Sequence, residues 1–133
     1  MGVTTQLSDF CASIRLDRLP PEVVNRARFL VLDLVGNIVR ARHDAESTAS
    51  FLGAVRAMGM AAGNAGVFGD AARYTPAGAA FLNGALAHSL DFDDTHAAGS
   101  LHPGAPVIPA ALAAGEMTGA SGADVLAAII AGY

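Results

Sequence analysis

The fold of this chain is decided by residues 19–42, which read LPPEVVNRARFLVLDLVGNIVRAR. Prolines followed by an acid are typical of the first turn of a helix. Beyond this start, apolar residues recur at helical spacing, at Val23, Val24, Ala27, Leu30, Val31, Leu34, Val35 and Ile38. The spacing predicts one long helix that ends near Arg42 and has a broad apolar face. Asp33 interrupts that face, and we interpret it as a core carboxylate with a satisfied hydrogen bond.

The segments on either side also have helical patterns. Apolar spacing and helix-start signals predict further helices over residues 4–15 (with Thr4 and Thr5 as caps), 46–60, 76–90, 105–118 and from about 121 onward. Between them, residues 62–76 contain three Gly and one Pro. They predict an irregular loop with a short extended piece at Val67-Phe68. Since nearly every segment is helical, the chain is expected to be all-α.

The composition describes one domain with little surface charge. Of 133 residues, 53% are hydrophobic and 15% are charged, and the net charge is −4. So low a charged fraction predicts that a partner or further sequence covers part of the surface, and the negative charge argues against nucleic acid. The single cysteine, Cys11, excludes an internal disulfide and favours a reducing, cytoplasmic setting. The uncharged run between Asp94 and Glu116 contains three prolines and two histidines, so we do not expect it to span a membrane.

The charges are distributed unevenly along the chain. All eight cationic side chains are arginines, and Arg73 is the last of them. The formal charges after it are all negative, at Asp91, Asp93, Asp94, Glu116 and Asp124. An anionic ligand held by residues 74–133 would therefore meet no Lys or Arg there. We expect its cationic clamps to come from the first half, from another segment or from another subunit.

The chemistry is concentrated in residues 88–104, HSLDFDDTHAAGSLHPG. Three carboxylates, three imidazoles and the Thr95 hydroxyl lie within fifteen positions of a largely apolar sequence, at Asp91, Asp93, Asp94, His88, His96, His102 and Thr95. Such groups are costly to bury without partners. Groups that take and give protons near neutral pH are also what acid–base catalysis needs.

Two local geometries are open for the start of this motif. If the preceding helix continues, His88, Asp91 and Thr95 lie on one face of it. If the helix ends near Leu90, Asp91 lies at its C-terminus, where the helix dipole raises the pKa of a carboxylate. In either geometry Asp91 is a candidate functional group.

The end of the motif, His102-Pro103-Gly104, is suited to hold an imidazole rigidly at the start of the next helix. Pro103 restricts His102 to extended backbone, and Gly104 allows a ligand to approach the backbone closely. Two other interpretations of the whole motif are open. It could be a solvated acidic loop that caps helix ends, or a metal site, because carboxylates and imidazoles bind divalent ions. Its spacing does not match an EF-hand loop.

Several of these stretches resemble the MmgE/PrpD family. The resemblance rests on residues 80–84 (AFLNG), 87–95 (AHSLDFDDT), 102–104 (HPG), 108–110 (IPA) and 131–133 (AGY), and in the first half on 32–36 (LDLVG) and 65–69 (AGVFG). Members of the family have a large all-helical domain and a smaller α/β lid domain, and usually form homodimers. The resemblance implies that residues 1–133 are the N-terminal portion of the helical domain, with the remainder and the lid in further sequence.

The resemblance also implies a class of reaction. The family includes 2-methylcitrate dehydratase, cis-aconitate decarboxylase and iminodisuccinate epimerase. We therefore expect a cytoplasmic lyase that acts on a small polycarboxylate by proton transfer next to a carboxylate, without metal or other cofactor and without a nucleic-acid or membrane partner. The first expectation is 2-methylcitrate dehydration, a step of propionate catabolism. The alternatives are a decarboxylase or epimerase on the same scaffold, and a catalytically inert, truncated helical module.

Site residues follow from the same resemblance. It implies catalytic roles for Asp91, Thr95 and His102. Our hypothesis is that His102 transfers the proton, Asp91 orients or tunes His102, and Thr95 hydrogen-bonds a substrate carboxylate. Substrate binding is predicted for Asn83, His88, Asp94 and Gly104. Further lysines and histidines of the site are expected from later sequence. The chain departs from the usual family form by one extra residue between Thr95 and His102, and by His96 where an aromatic residue often lies.

Overall fold

The computed structural model describes residues 2–133, and nearly all of its regular structure is helical. This range contains the helices α1 (Val3–Ser13), α2 (Pro21–Asp44), α3 (Thr48–Ala57), α4 (Pro76–His88), α5 (Gly104–Thr118) and α6 (Gly122–Gly132). Two 3₁₀ turns, Leu16–Arg18 and Ala97–Gly99, and a two-stranded hairpin complete it. The all-α prediction is confirmed. Over residues 2–133, no helix combines the length and apolar character needed to cross a membrane.

The long helix α2 begins where the proline pattern predicts. Pro21 lies in its first turn together with the acidic Glu22, and Arg42 and His43 lie in its last turn. Both ends therefore carry charges that favour the helix dipole. The buried face of α2 consists of Ala27, Leu34, Ile38 and Ala41. This face packs against α4, α5 and α6.

The expectation of a buried carboxylate at Asp33 is wrong. Asp33 is exposed, and Nδ2 of Asn37 donates a hydrogen bond to its Oδ2 at 3.5 Å. Phe29 and Leu32 are exposed as well. Apolar residues thus surround more of α2 than one buried face requires, so their spacing could not identify the side on which Asp33 lies.

Helix α4 is central and packs against α2, α3 and α5. Its side chains Leu82 and Leu86 are almost completely buried. At Gly84, an added Cβ would lie only 2.9 Å from the carbonyl oxygen of Ala105 in α5. That carbonyl has no donor four residues later, because position 109 is a proline inside the helix. Gly84 therefore allows α4 and α5 to approach closely at a point where one backbone acceptor lacks its usual helical partner.

Residues 62–76 form a hairpin, so the extended piece expected at Val67-Phe68 was placed too late in the chain. Strand β1 (Ala65–Gly66) pairs antiparallel with β2 (Arg73–Tyr74). The buried side chain of Asn83 in α4 holds the hairpin. Its Nδ2 donates to the Gly66 carbonyl at 3.0 Å, and its Oδ1 accepts from the Phe68 amide at 3.0 Å. These bonds fix the strand position, which local composition does not reveal.

A second contact ties the hairpin to α2 through Asp70. Arg42 donates to Oδ2 of Asp70 from Nε at 3.3 Å and from Nη2 at 3.1 Å, and the Tyr74 hydroxyl donates to the same oxygen at 2.9 Å. Burial acts to raise the pKa of Asp70, but the hydrogen bonds from the Ala72 amide, Tyr74 and Arg42 and the charge of Arg42 outweigh it and lower the pKa. The ionised carboxylate is therefore the form that the fold stabilises.

The helix ends differ in how their backbone donors are satisfied. At α6, Ser121 Oγ accepts from the Asp124 amide at 3.2 Å, and Asp124 Oδ2 accepts from the Ser121 amide at 3.3 Å, which is a capping box. The expected caps Thr4 and Thr5 are wrong. Both lie inside α1, whose N-cap is Gly2 without a side-chain hydrogen bond.

Candidate active site

The segment that joins α4 to α5 turns sharply at Asp91. Helix α4 ends at His88, so the geometry with His88, Asp91 and Thr95 on one continuous helix is excluded. Asp91 has a φ of 56°, in the left-handed region, and its amide donates to the His88 carbonyl at 3.1 Å. A residue with a Cβ is strained in this region. The turn directs the following residues back toward the start of α5.

Asp93 is the buried centre of the segment. Its side chain is completely buried, and its Oδ1 and Oδ2 lie 3.0 Å and 3.2 Å from Nδ1 of His88. Oδ1 also lies 3.5 Å from Nδ1 of His102. The two imidazole rings are 4.7 Å apart between centroids and are tilted by 57°. One carboxylate thus lies against two imidazoles from opposite ends of the segment.

His102 presents its two ring nitrogens to different surroundings. Nδ1 is buried and has no hydrogen-bond partner within residues 2–133, since the 3.5 Å contact with Asp93 does not have hydrogen-bond geometry. Nε2 lies 3.9 Å from Oδ1 of Asp91, whose side chain is 80% exposed. The His102 side chain is 30% exposed although Nδ1 is buried, so the exposure belongs to its other atoms.

The charge of the cluster depends on His88. The hydrogen bond to Asp93 raises the pKa of His88, and the charges of Asp93 and Asp91 add to this, while burial acts in the opposite direction. His88 therefore keeps its proton further into the neutral range than an isolated imidazole. Protonated His88 supplies a positive partner for Asp93 in residues 74–133, which contain no Lys or Arg.

Asp94 connects the segment to α5. Its Oδ1 accepts a hydrogen bond from the Gly104 amide at 3.1 Å. A Cβ at Gly104 would overlap this oxygen and would lie 2.8 Å from the Tyr133 hydroxyl. Burial, together with the charge of Asp94 and hydrogen bonding to it, raises the pKa of Tyr133. Three elements therefore meet at Asp94, and Gly104 is needed there for space.

The predicted site residues fall into three groups. His88, Asp91 and His102 belong to the cluster around Asp93, and Asp94 and Gly104 bond to each other. The remaining two residues belong to neither group. The Asn83 side-chain amide binds the hairpin, and Thr95 is exposed. Asp93 itself was not among the predicted catalytic or substrate-binding residues. No sequence pattern distinguishes it from Asp91 and Asp94, since its burial results from the turn at Asp91.

Residues 96–101 form a surface excursion between Thr95 and His102. The His96 amide donates to the Leu101 carbonyl at 2.8 Å, and the Leu101 amide donates back to the His96 carbonyl at 3.4 Å. Within the excursion, Nδ1 of His96 accepts from the Gly99 amide at 3.0 Å. All six residues are exposed. The excursion is therefore closed at its base, and His96 serves its internal structure.

The cluster also has the donors for a metal ion. His88, Asp91, Asp93 and His102 can each offer one ligand atom, and these atoms lie within 4.8 Å of one another. Imidazoles and carboxylates are ligands of zinc, iron and manganese. However, His88 and Asp93 already satisfy each other at 3.0 Å, an interaction that needs no ion. A metal-free site thus stays a prediction.

A surface cavity of about 520 Å³ is bounded on one side by Phe92 and Asp94 of the acidic segment. It is lined by Arg26, Phe29, Leu30, Leu32, Asp33, Phe92 and Asp94. Arg26, from α2, supplies a positive charge to this cavity. A cation from the first half of the chain thus lies near the acidic segment, as one of the sequence-based alternatives expects. Helical spacing alone could not single out Arg26, because its relation to Asp94 depends on tertiary packing.

Comparison with known proteins gives consistent results. The family described as the MmgE/PrpD N-terminal domain matches residues 5–133. The cis-aconitate decarboxylase-like protein oryM of Aspergillus oryzae (strain ATCC 42149 / RIB 40) is 31% identical over 99% of this chain and 28% of its own length. The cis-aconitate decarboxylase of Aspergillus terreus is 29% identical over the same shares. The chain thus spans 28% of the length of these relatives. No solved structure matches it.

Proposed function

Because the chain belongs to the MmgE/PrpD family, we propose that it provides one wall of the active site of a lyase that acts on a small polycarboxylate. The observation that carries this proposal is the pair of imidazoles, His88 and His102, against the buried carboxylate of Asp93. Removing or delivering a proton next to a carboxylate requires a positioned acid–base group. An imidazole can act as either near neutral pH.

The proposed proton transfer uses Nε2 of His102. Nδ1 faces the protein interior, so Nε2 is the nitrogen available to a substrate. In a dehydration, neutral His102 removes the proton next to a carboxylate, the carbon–oxygen bond breaks, and the leaving hydroxide takes up a proton from solvent and departs as water. In a decarboxylation, the bond to the leaving carboxylate breaks, carbon dioxide departs, and protonated His102 delivers its proton to the carbon skeleton. Both reactions use the same nitrogen in opposite protonation states.

The carboxylates of the substrate need hydrogen-bond donors and positive charge. Thr95 is exposed on the motif, and Arg26 lines the neighbouring cavity. We assign both to substrate binding. One arginine is too little charge for a polycarboxylate, so the remaining cations come from further sequence of the same polypeptide or from the second subunit of a homodimer. This assignment makes the present chain the N-terminal portion of a larger helical domain, and we place the enzyme in the cytoplasm because its one cysteine fits a reducing compartment.

Two substrates are favoured by different observations. The relatives named cis-aconitate decarboxylase or cis-aconitate decarboxylase-like, at 29–31% identity, favour decarboxylation of cis-aconitate. The family resemblance carries the expectation of 2-methylcitrate dehydration, and the 88–104 motif itself does not separate the two reactions. The two reactions share the proton-transfer group and differ in the group that leaves. Decarboxylation is the first reaction to test, dehydration is the second, and epimerisation of iminodisuccinate is the third.

The test is an assay of the complete gene product. The purified protein is incubated separately with cis-aconitate, 2-methylcitrate and iminodisuccinate in D₂O, and the products are followed by NMR. We expect loss of carbon dioxide or of water from one of the first two substrates. Exchange of a substrate proton for deuterium without loss of either group would indicate an epimerase. If a folded protein gives neither exchange nor product with any of the three, the lyase proposal is wrong and the inert helical module is favoured.

A further inference from the structure

Asp93 is a buried charged side chain that takes no direct part in the proposed reaction. Its carboxylate is completely buried, whereas that of Asp91, two residues earlier, is 80% exposed. A buried carboxylate is strongly disfavoured unless it is paired. Within residues 2–133, the ion pairs of Asp93 are with His88 and His102. The two histidines therefore account for the presence of a charge at this position.

We propose that Asp93 is a positioning residue, whose carboxylate accepts the Nδ1–H groups of His88 and His102 and so leaves Nε2 of His102 as the proton-accepting nitrogen. This proposal rests on the proposed function, in which His102 transfers the proton. It gives Asp93 the orienting role that the family resemblance implied for Asp91. Asp91, on the open side of the ring, is then free to face the substrate.

The distances favour Asp93 over Asp91 as the orienting group. Oδ1 of Asp93 lies 3.5 Å from the inward nitrogen of His102, and Asp91 lies 3.9 Å from the outward one. A carboxylate at Nδ1 selects the tautomer with its proton on Nδ1 and stabilises the imidazolium that forms when Nε2 takes up a proton. Buried polar atoms normally have a hydrogen-bond partner, and Nδ1 of His102 lacks one among residues 2–133. A small rotation of the ring toward Asp93 would provide it.

His88 contributes by fixing the carboxylate itself. Nδ1 of His88 lies within 3.2 Å of both carboxylate oxygens of Asp93. His88 is the last residue of α4, so the helix backbone holds it in place. The His88 and His102 rings are 4.7 Å apart, and both contact Asp93. A movement of Asp93 would therefore require one ring to move relative to the other. Replacing His88 should thus loosen Asp93 without removing its charge.

The kinetic experiment compares three variants of the complete gene product on the substrate that it turns over. Asp93→Asn should lower kcat by about 10²–10⁴-fold, because an amide no longer favours the correct tautomer or the imidazolium, and should leave KM within about threefold. His88→Gln should lower kcat by a smaller factor, about tenfold. The control Asp9→Asn changes an exposed acid on α1 and should have wild-type kinetics. A kcat for Asp93→Asn within about twofold of wild type, with an unchanged pH profile, overturns the proposal.

A spectroscopic experiment tests the same proposal without turnover. In protein labelled with ¹⁵N-histidine, with the His102 signals assigned through His102→Gln, neutral His102 is expected to carry its proton on Nδ1. In Asp93→Asn the proton should shift toward Nε2. Wild-type His102 with its proton on Nε2 overturns the proposal, even if the variant does not fold. If no polycarboxylate is turned over but the His102 tautomer depends on Asp93, the proposed function fails while the positioning of His102 is supported.

Discussion

The Gly104 amide donates a hydrogen bond to Oδ1 of Asp94 at 3.1 Å, and this bond joins the acidic segment to the first turn of α5. The positive end of the α5 dipole favours the carboxylate there. His102 lies just before this junction, so the bond also fixes the position from which the imidazole projects. Even the methyl side chain of alanine at position 104 should therefore disturb this junction.

Gly104→Ala should destabilise the protein and reduce turnover together. The new Cβ would overlap Oδ1 of Asp94 and crowd the Tyr133 hydroxyl at 2.8 Å. Overpacking of this kind costs about 1–3 kcal/mol, which urea unfolding can measure. The matched control is Gly53→Ala in α3, where an added Cβ meets nothing within 4 Å. It should be neutral or stabilising by up to about 1 kcal/mol. Equal stability of the two variants would contradict the crowding at Gly104.

His102→Gln should lower turnover of the complete gene product by about 10²–10⁴-fold, because it removes the proton-transfer nitrogen. Its control is His43→Gln, which changes an exposed histidine in the last turn of α2. That control should retain wild-type rates. Steady-state kinetics on the true substrate measure both. Unchanged turnover of His102→Gln would remove His102 from the proton transfer.

The stability contributed by the His88–Asp93 pair should depend on pH. The pKa of His88 is raised in the folded protein, so folding is favoured by proton binding. The contribution is complete below the unfolded-state pKa of about 6.5 and is lost as pH rises through the folded-state pKa. The difference in unfolding free energy between wild type and His88→Gln, measured from about pH 5.5 to 8.5, should therefore shrink with increasing pH. A difference that stays constant or grows over this range would contradict the raised pKa.

Tyr74→Phe should weaken the hydrogen bonding that holds Asp70, the hairpin residue that contacts Arg42 of α2. The substitution removes the hydroxyl that donates to Oδ2 of Asp70 at 2.9 Å and leaves the buried ring in place. Loss of this charge-assisted hydrogen bond should cost about 1.5–3 kcal/mol in thermal or urea unfolding. The double variant with Asp70→Asn should be less than additive, because both changes affect the same bond. Full additivity would mean that the two residues act independently.

Prolonged dialysis of the complete gene product against a chelator should leave its activity unchanged. The expectation follows from the direct 3.0 Å interaction between His88 and Asp93, which satisfies two of the four available donor groups without an ion. Metal analysis of the dialysed protein is the control, since it shows whether any ion was removed. Loss of activity that is restored by zinc, iron or manganese would instead make the cluster a metal site.

The helices were predictable from the sequence because their signals are local. The proline and acid at the start of α2 and the Ser121–Asp124 capping box lie within single turns. The side on which Asp33 lies was not predictable, because α2 has exposed as well as buried apolar residues. The hairpin position was also missed, since it is fixed by hydrogen bonds from Asn83 in a later helix.

The candidate site was predictable as a segment but not as a geometry. The density of carboxylates and imidazoles in residues 88–104 identified the segment. Which carboxylate is buried depends on the left-handed turn at Asp91, a conformation that glycine adopts far more readily than aspartate. The nearness of Arg26 depends on how α2 packs. Neither is encoded in local spacing.

The excursion over residues 96–101 has a consequence for how such proteins diversify. Because its base is closed by the backbone bonds between His96 and Leu101, residues can be inserted or deleted at its tip without a change in where the chain re-enters the fold. The extra residue that the family resemblance implies between Thr95 and His102 would fall within this excursion. Evolution can thus reshape the rim beside the imidazole through loop length alone, while the buried carboxylate and the helix entrance keep their positions.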